Sequence, residues 1–182
     1  MASPNDSIVS LSHALDQTGD VLAAIRREQL SDPTPCPEWD VAHLIGHVVA
    51  DAARFTESVR GGDPDWSAPP EPVTGEWTSR FRSDADDLIH AWHQQGDQAE
   101  DGAADWQIAE FAVHTWDLVQ ATGQDRALDP EVAERGYAFM SKALTPDNRG
   151  QVFEPEVEAP EDADPYDRIA AFAGRPPWER PS

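Results

Sequence analysis

Cysteine is almost missing from this chain. Cys36 is the single one among 182 residues, so no disulfide can form within it. Lysine is equally scarce, with Lys142 alone, and Lys and Arg together number 13 against 35 Asp and Glu. The resulting net charge of −22 excludes ordinary binding to a phosphate backbone, which needs cations to displace counterions. It also opposes attachment to an anionic membrane surface. No run approaches the roughly 18 to 20 apolar residues that a membrane-spanning helix requires. The N-terminus lacks a basic stretch followed by an apolar run, so no secretory signal is expected. These absences lead to the expectation of a soluble, cytoplasmic protein that contacts neither nucleic acid nor membrane. The acidity itself has two readings, high solubility or adaptation to concentrated salt. The near-total use of Arg in place of Lys reads as base-composition bias of the genome.

What is present supports one folded domain over residues 1–182. Apolar residues make up 39% of the chain, and its seven Trp and six Phe supply large buried areas. Hydrophobic spacing predicts a first helix from about Ser7 to Leu30, with Val9, Leu11, Leu15, Val21, Leu22 and Ile25 on one stripe. The Pro-rich stretch Ser31–Pro37 is an ordered loop or turn. A second helix opens near Asp40, a good N-cap, and stops at Gly61-Gly62. After a Pro-rich loop over Asp63–Gly75, a third helix spans roughly Glu76–Gln95. A fourth runs from about Ala103 to Thr122, and Gly123 ends it. A shorter helix covers Pro130–Leu144, a strand-like fragment is expected at Gln151–Phe153, and a last helical turn at Tyr166–Ala173. The class is therefore all-α: a four-helix bundle over about 7–144, with short additional helical segments in a C-terminal extension over about 145–182.

Two pairs of polar residues have the spacing of chemistry. His43 and His47 stand at i and i+4 on the second helix, and Glu110 and His114 do so on the fourth. That spacing brings side chains to about 5–6 Å of each other on one helix face. Two ligands from one helix and one from another can hold a divalent metal, and two His with a carboxylate suit zinc, iron or nickel. The alternative is a solvated polar stripe, because Glu110, His114 and Asp117 share a face opposite Phe111, Ala112 and Val119. Cys36, between two prolines and a helix start, is either a turn residue or a thiol of lowered pKa. Trp39 and Trp116 read as core and cleft wall.

Three segments carry a resemblance. Pro33-Thr34-Pro35-Cys36-Pro37-Glu38-Trp39-Asp40-Val41, followed by Leu44-Ile45-Gly46-His47-Val48-Val49, resembles the N-terminal domain of mycothiol-dependent maleylpyruvate isomerases. That domain belongs to the DinB-like superfamily of metal-binding four-helix bundles. Glu110-Phe111-Ala112-Val113-His114-Thr115-Trp116-Asp117-Leu118 is similar to the family's Glu-x-x-x-His-x-x-Asp-Leu helix. Asp167-Arg168-Ile169-Ala170-Ala171-Phe172-Ala173-Gly174-Arg175 resembles the tail of a subfamily in which the bundle stands alone.

The resemblance implies metal ligands at His47, Glu110 and His114 and leaves His43 as a surface or helix-start residue. It implies that Asp117 either holds a ligand's second nitrogen or acts as a base. It also implies an arginine before helix three, with Arg80 or Arg82 in about the right region. The implied cofactor is a divalent metal, zinc first, with mycothiol or another low-molecular-weight thiol as co-substrate and a small electrophile as substrate. The implied chemistry is S-transfer or thiol-assisted isomerisation. The residues show no counterpart of the second domain that helps form the isomerase active site, so maleylpyruvate isomerisation itself is not expected. Alternatives are a metal-dependent hydrolase and a non-catalytic metal-binding stress or binding module. A homodimer is a further expectation for a bundle of this type.

Overall fold

A computed structural model describes residues 4–149 and 153–179. Among them are seven α-helices and no strand: α1 (Pro4–Ala24), α2 (Val41–Val59), α3 (Trp77–Gln95), α4 (Asp105–Thr122), α5 (Pro130–Ala143), α6 (Pro146–Arg149) and α7 (Pro165–Phe172). This is the DinB-like helical bundle the sequence led us to expect. Around the bundle the order is α1, α3, α2, α4, and back to α1; α5 and α7 pack on the outside of α4. No helix is long and apolar enough to cross a membrane among the described residues.

Most boundaries follow local chemistry. Asp40 accepts a hydrogen bond from the His43 N–H and starts α2. Asp129 and Asp164 cap α5 and α7 in the same way, each followed by a proline at the first helical position. The first helix departs from expectation. It stops at Ala24, and Arg27–Gln29 forms a separate 3-10 turn. The cause is tertiary: the buried Gln29 side chain donates to the Thr122 carbonyl at the end of α4 and accepts from the Arg26 N–H. The short α6 was not anticipated. Of the strand expected at Gln151–Phe153, residues 151 and 152 lie outside the described ones, and Phe153 is a bend donating its N–H to Arg149 O at 2.7 Å.

The core is one continuous cluster drawn from all four long helices. Phe55, Phe81 and Phe111 meet in its centre edge to face, with centroids 5.8 and 6.0 Å apart. Helix α4 is the most enclosed element, because α1, α2, α5 and α7 all pack against it. Every residue from Phe111 to Val119 is buried.

The loop between α2 and α3 lies flat against α2 beside His47. Gly46 permits this: a Cβ there would stand 1.9 Å from the Glu71 carbonyl oxygen, and Val73 N–H donates to Ala42 O at 3.2 Å. Gly46→Ala is expected to cost about 1–3 kcal/mol through overpacking. Thermal melting followed by circular dichroism checks this: the midpoint should fall by several degrees, whereas an unchanged midpoint would mean the loop yields without cost.

Candidate metal centre

Helices α2 and α4 run antiparallel across the bundle, so that His47 meets Glu110 and Phe55 meets Trp106. One ligand atom from each of His47, Glu110 and His114 lies within 4.8 Å of the others, a grouping able to hold a metal ion. Glu110 Oε1 is the hub, 2.9 Å from His47 Nε2 and 3.0 Å from His114 Nε2. Side-chain exposure falls from 15% at His47 and 12% at Glu110 to 7% at His114, so the cluster is buried at one end and reachable from solvent at the other. Trp39, from the Pro-rich turn before α2, lays its ring 4.6 Å from the His47 ring.

The polar stripe on α4 is therefore not a solvated face. Asp117 is fully buried, and its Oδ2 stands 3.0 Å from His114 Nδ1. That contact engages Nδ1 and leaves Nε2 facing the cluster, where it donates to Glu110 while the ring is protonated and offers a lone pair once that proton is lost. On the far side, Arg175 donates from Nε to Asp117 Oδ1 at 2.9 Å and from Nη2 to Oδ2 at 3.0 Å. Burial would push the His114 imidazole down, but the Glu110 and Asp117 carboxylates outweigh it and hold it up at about 9. Burial would likewise raise Glu110, yet the two histidines keep its carboxyl well below the usual range. Asp117 is held low against its burial by His114 and Arg175.

Spacing and resemblance both omitted Asp51. It stands one turn after His47, its Oδ2 3.1 Å from His47 Nε2, and Arg54 donates to its Oδ1 at 3.2 Å. Burial and the neighbouring Glu110 push the Asp51 carboxyl up to about 6 against the opposing pull of His47, His114 and Arg54. The signal was present in the sequence, since His47 and Asp51 have the same i, i+4 spacing as Glu110 and His114. Arg175 had no such local signal. Arg80 and Arg82 lie within α3 instead of before it, and their ion-pair partners are Asp84 and Asp20. His43 sits at the start of α2 with Nδ1 2.7 Å from Asp40 Oδ1, away from the cluster. A depression of about 400 Å³ between α2 and α3, bounded by Thr56, Glu57, Arg60 and Asp84, shares no residue with the cluster.

An antiparallel helix pair bearing two histidines and a glutamate, backed by a buried carboxylate, defines a class: helical bundles with a grouping able to hold a metal ion between two helices. The comparison with known proteins makes this particular. The model of the mycothiol maleylpyruvate isomerase N-terminal domain family matches residues 11–119, and the chain belongs to that family. Two relatives are uncharacterized proteins of Mycobacterium tuberculosis, strains CDC 1551 / Oshkosh and ATCC 25618 / H37Rv. Each is 30% identical over 186 residues, which cover 93% of this chain and 98% of the relative. No solved structure matches the chain.

Two predictions follow from this geometry. Removing the Asp117 carboxylate strands Arg175 as an unpaired buried charge, so Asp117→Ala is expected to destabilise the fold by about 3–5 kcal/mol in urea unfolding. Cys36 is half-buried, and burial lifts its thiol to about 11 although Arg175 pulls the other way. Its thiolate fraction therefore grows about tenfold per pH unit until about pH 11. Alkylation by iodoacetamide should be slow at pH 8 and still rising at pH 10; a rate that levels off near neutrality would mark an activated thiol instead.

Proposed function

We propose that His47, Glu110 and His114 hold one divalent metal, zinc or else iron or nickel, in an enzyme that acts with a low-molecular-weight thiol on a small electrophile. The observation that carries this reading is the convergence of three ligand atoms from two helices, open to solvent at the His47 end, in a member of a mycothiol-related family. Two imidazoles and one carboxylate are the donor set of catalytic zinc, which keeps a further position for an exogenous ligand. Mycothiol is the thiol the family name suggests.

A divalent cation at this site supplies Lewis acidity and lowers the proton affinity of a thiol brought to it. The chain's own groups do the rest. His47 and His114 turn Nε2 inward, Glu110 lies between them, and Trp39 covers one side of the His47 ring. The thiol gives its proton to solvent, and its sulfur electron pair forms a carbon–sulfur bond to the electrophile. In S-transfer a leaving group departs with its electron pair. In isomerisation the sulfur adds to a conjugated carbon–carbon double bond and the π pair moves onto the adjoining carbonyl. After rotation about the resulting single bond the pair returns, the carbon–sulfur bond breaks, and the departing thiolate takes a proton back from solvent. In this reading Asp117 is a positioning residue rather than the base, because both its oxygens already accept hydrogen bonds in a site without solvent access.

The purified protein is expected to carry about one divalent ion per chain, measured by elemental analysis. His47→Ala and His114→Ala should each lose it. Protein without stoichiometric metal, or variants that keep it, would overturn the reading. Turnover of an electrophilic ester or amide with no thiol added would move the chemistry to hydrolysis.

A further inference from the structure

The guanidinium of Arg175 reaches the metal centre from outside the family-matched span of residues 11–119. We propose that Arg175 is a positioning residue of that centre: it fixes the Asp117 carboxylate, and through it the ring of His114, so that Nε2 faces the cation site in one orientation. This rests on the reading of His47, Glu110 and His114 as metal ligands.

The contacts form an unbroken line. Arg175 Nε and Nη2 grip the two Asp117 oxygens at 2.9 and 3.0 Å, Asp117 Oδ2 meets His114 Nδ1 at 3.0 Å, and His114 Nε2 meets Glu110 Oε1 at 3.0 Å. A carboxylate held only by His114 can still rotate about its Cβ–Cγ bond. Two parallel N–H bonds from a planar guanidinium fix its plane.

The tail is built to deliver this group. After α7, Gly174 adopts φ +87, and a Cβ there would stand 2.7 Å from the Glu154 carbonyl oxygen, so the chain turns tightly where a side chain cannot fit. The Arg175 N–H then donates to Ala170 O at 2.9 Å. Trp116 Nε1 donates to Asp167 at 2.8 Å and pins α7 against the ligand-bearing helix. Arg175 itself is only 7% exposed. Stability alone does not call for this pair, since buried ion pairs are commonly matched by apolar residues of similar volume. An ion pair whose carboxylate also orients a ligand has a further use, because such outer partners set ligand geometry and basicity.

The test uses the full chain with Arg175→Met and Arg175→Lys. Zinc affinity is measured by competition with a chromophoric chelator, and the visible spectrum of the cobalt(II)-loaded protein reports ligand geometry. The melting point of the metal-free protein is recorded alongside. R175M is expected to bind zinc about tenfold more weakly and to shift the cobalt spectrum. R175K, which returns the charge without the paired bonds, should fall between R175M and the parent, and it carries the test if R175M does not fold. Parent-like affinity and spectrum in a folded variant, whatever its melting point, would overturn the inference and leave the metal centre standing. A parent protein that binds no zinc would overturn the metal centre itself.

Discussion

Helix α4 is enclosed by four other helices, and a helix in that position can carry a polar side chain only if the side chain finds a partner within the protein. Much of the polar interior follows from this constraint. Thr115 pairs with Thr18 of α1 at 2.7 Å, Gln107 accepts from the Trp92 indole at 2.9 Å, and Thr122 returns its hydroxyl to Leu118 O. Asp117 and His114 pair with each other, and what remains unmet is carried outward to Arg175 on one side and to Glu110 and His47 on the other. The candidate metal centre is the place where this internal polar chain reaches the surface.

The charge distribution sharpens that picture. The chain as a whole carries −22, so its surface is overwhelmingly anionic. At the centre the carboxylates of Glu110, Asp51 and Asp117 are met by His47, His114, Arg54 and Arg175. The cluster is thus balanced internally, as a desolvated site must be. Without a metal the proton on His114, which it keeps up to about 9, ties that ring to the Glu110 and Asp117 carboxylates. A cation at Nε2 has to replace that proton, so metal and proton compete for one position.

The long helices were legible because they depend on local signals: Asp40 as a cap, Gly123 as a stop, and apolar residues at helical spacing. The end of α1 was not, because Gln29 breaks the helix to reach Thr122, a partner 93 residues away. His47, Glu110 and His114 could be named from spacing and resemblance together. The solvated face that spacing alone allowed for Glu110, His114 and Asp117 disappears once α5 and α7 cover α4. Asp51 was within reach of the same one-turn rule that singled out Glu110 and His114. Arg80 and Arg82 drew notice by position along the chain, yet α3 turns them toward Asp84 and Asp20.

By itself, then, the sequence determined the all-helical class and the order of the four long helices, since caps, stops and helical periodicity act over a few positions. One-turn spacing offered the pairs His43/His47 and Glu110/His114, and the family resemblance chose three candidates among them. Only the tertiary structure decided that Asp117 faces inward, that Asp51 and Arg54 stand beside His47, and that Arg175 closes the far end of the line. The physical reason is desolvation: which polar groups must find partners depends on which faces are buried. That is settled when distant helices pack, 58 residues apart in the case of Asp117 and Arg175.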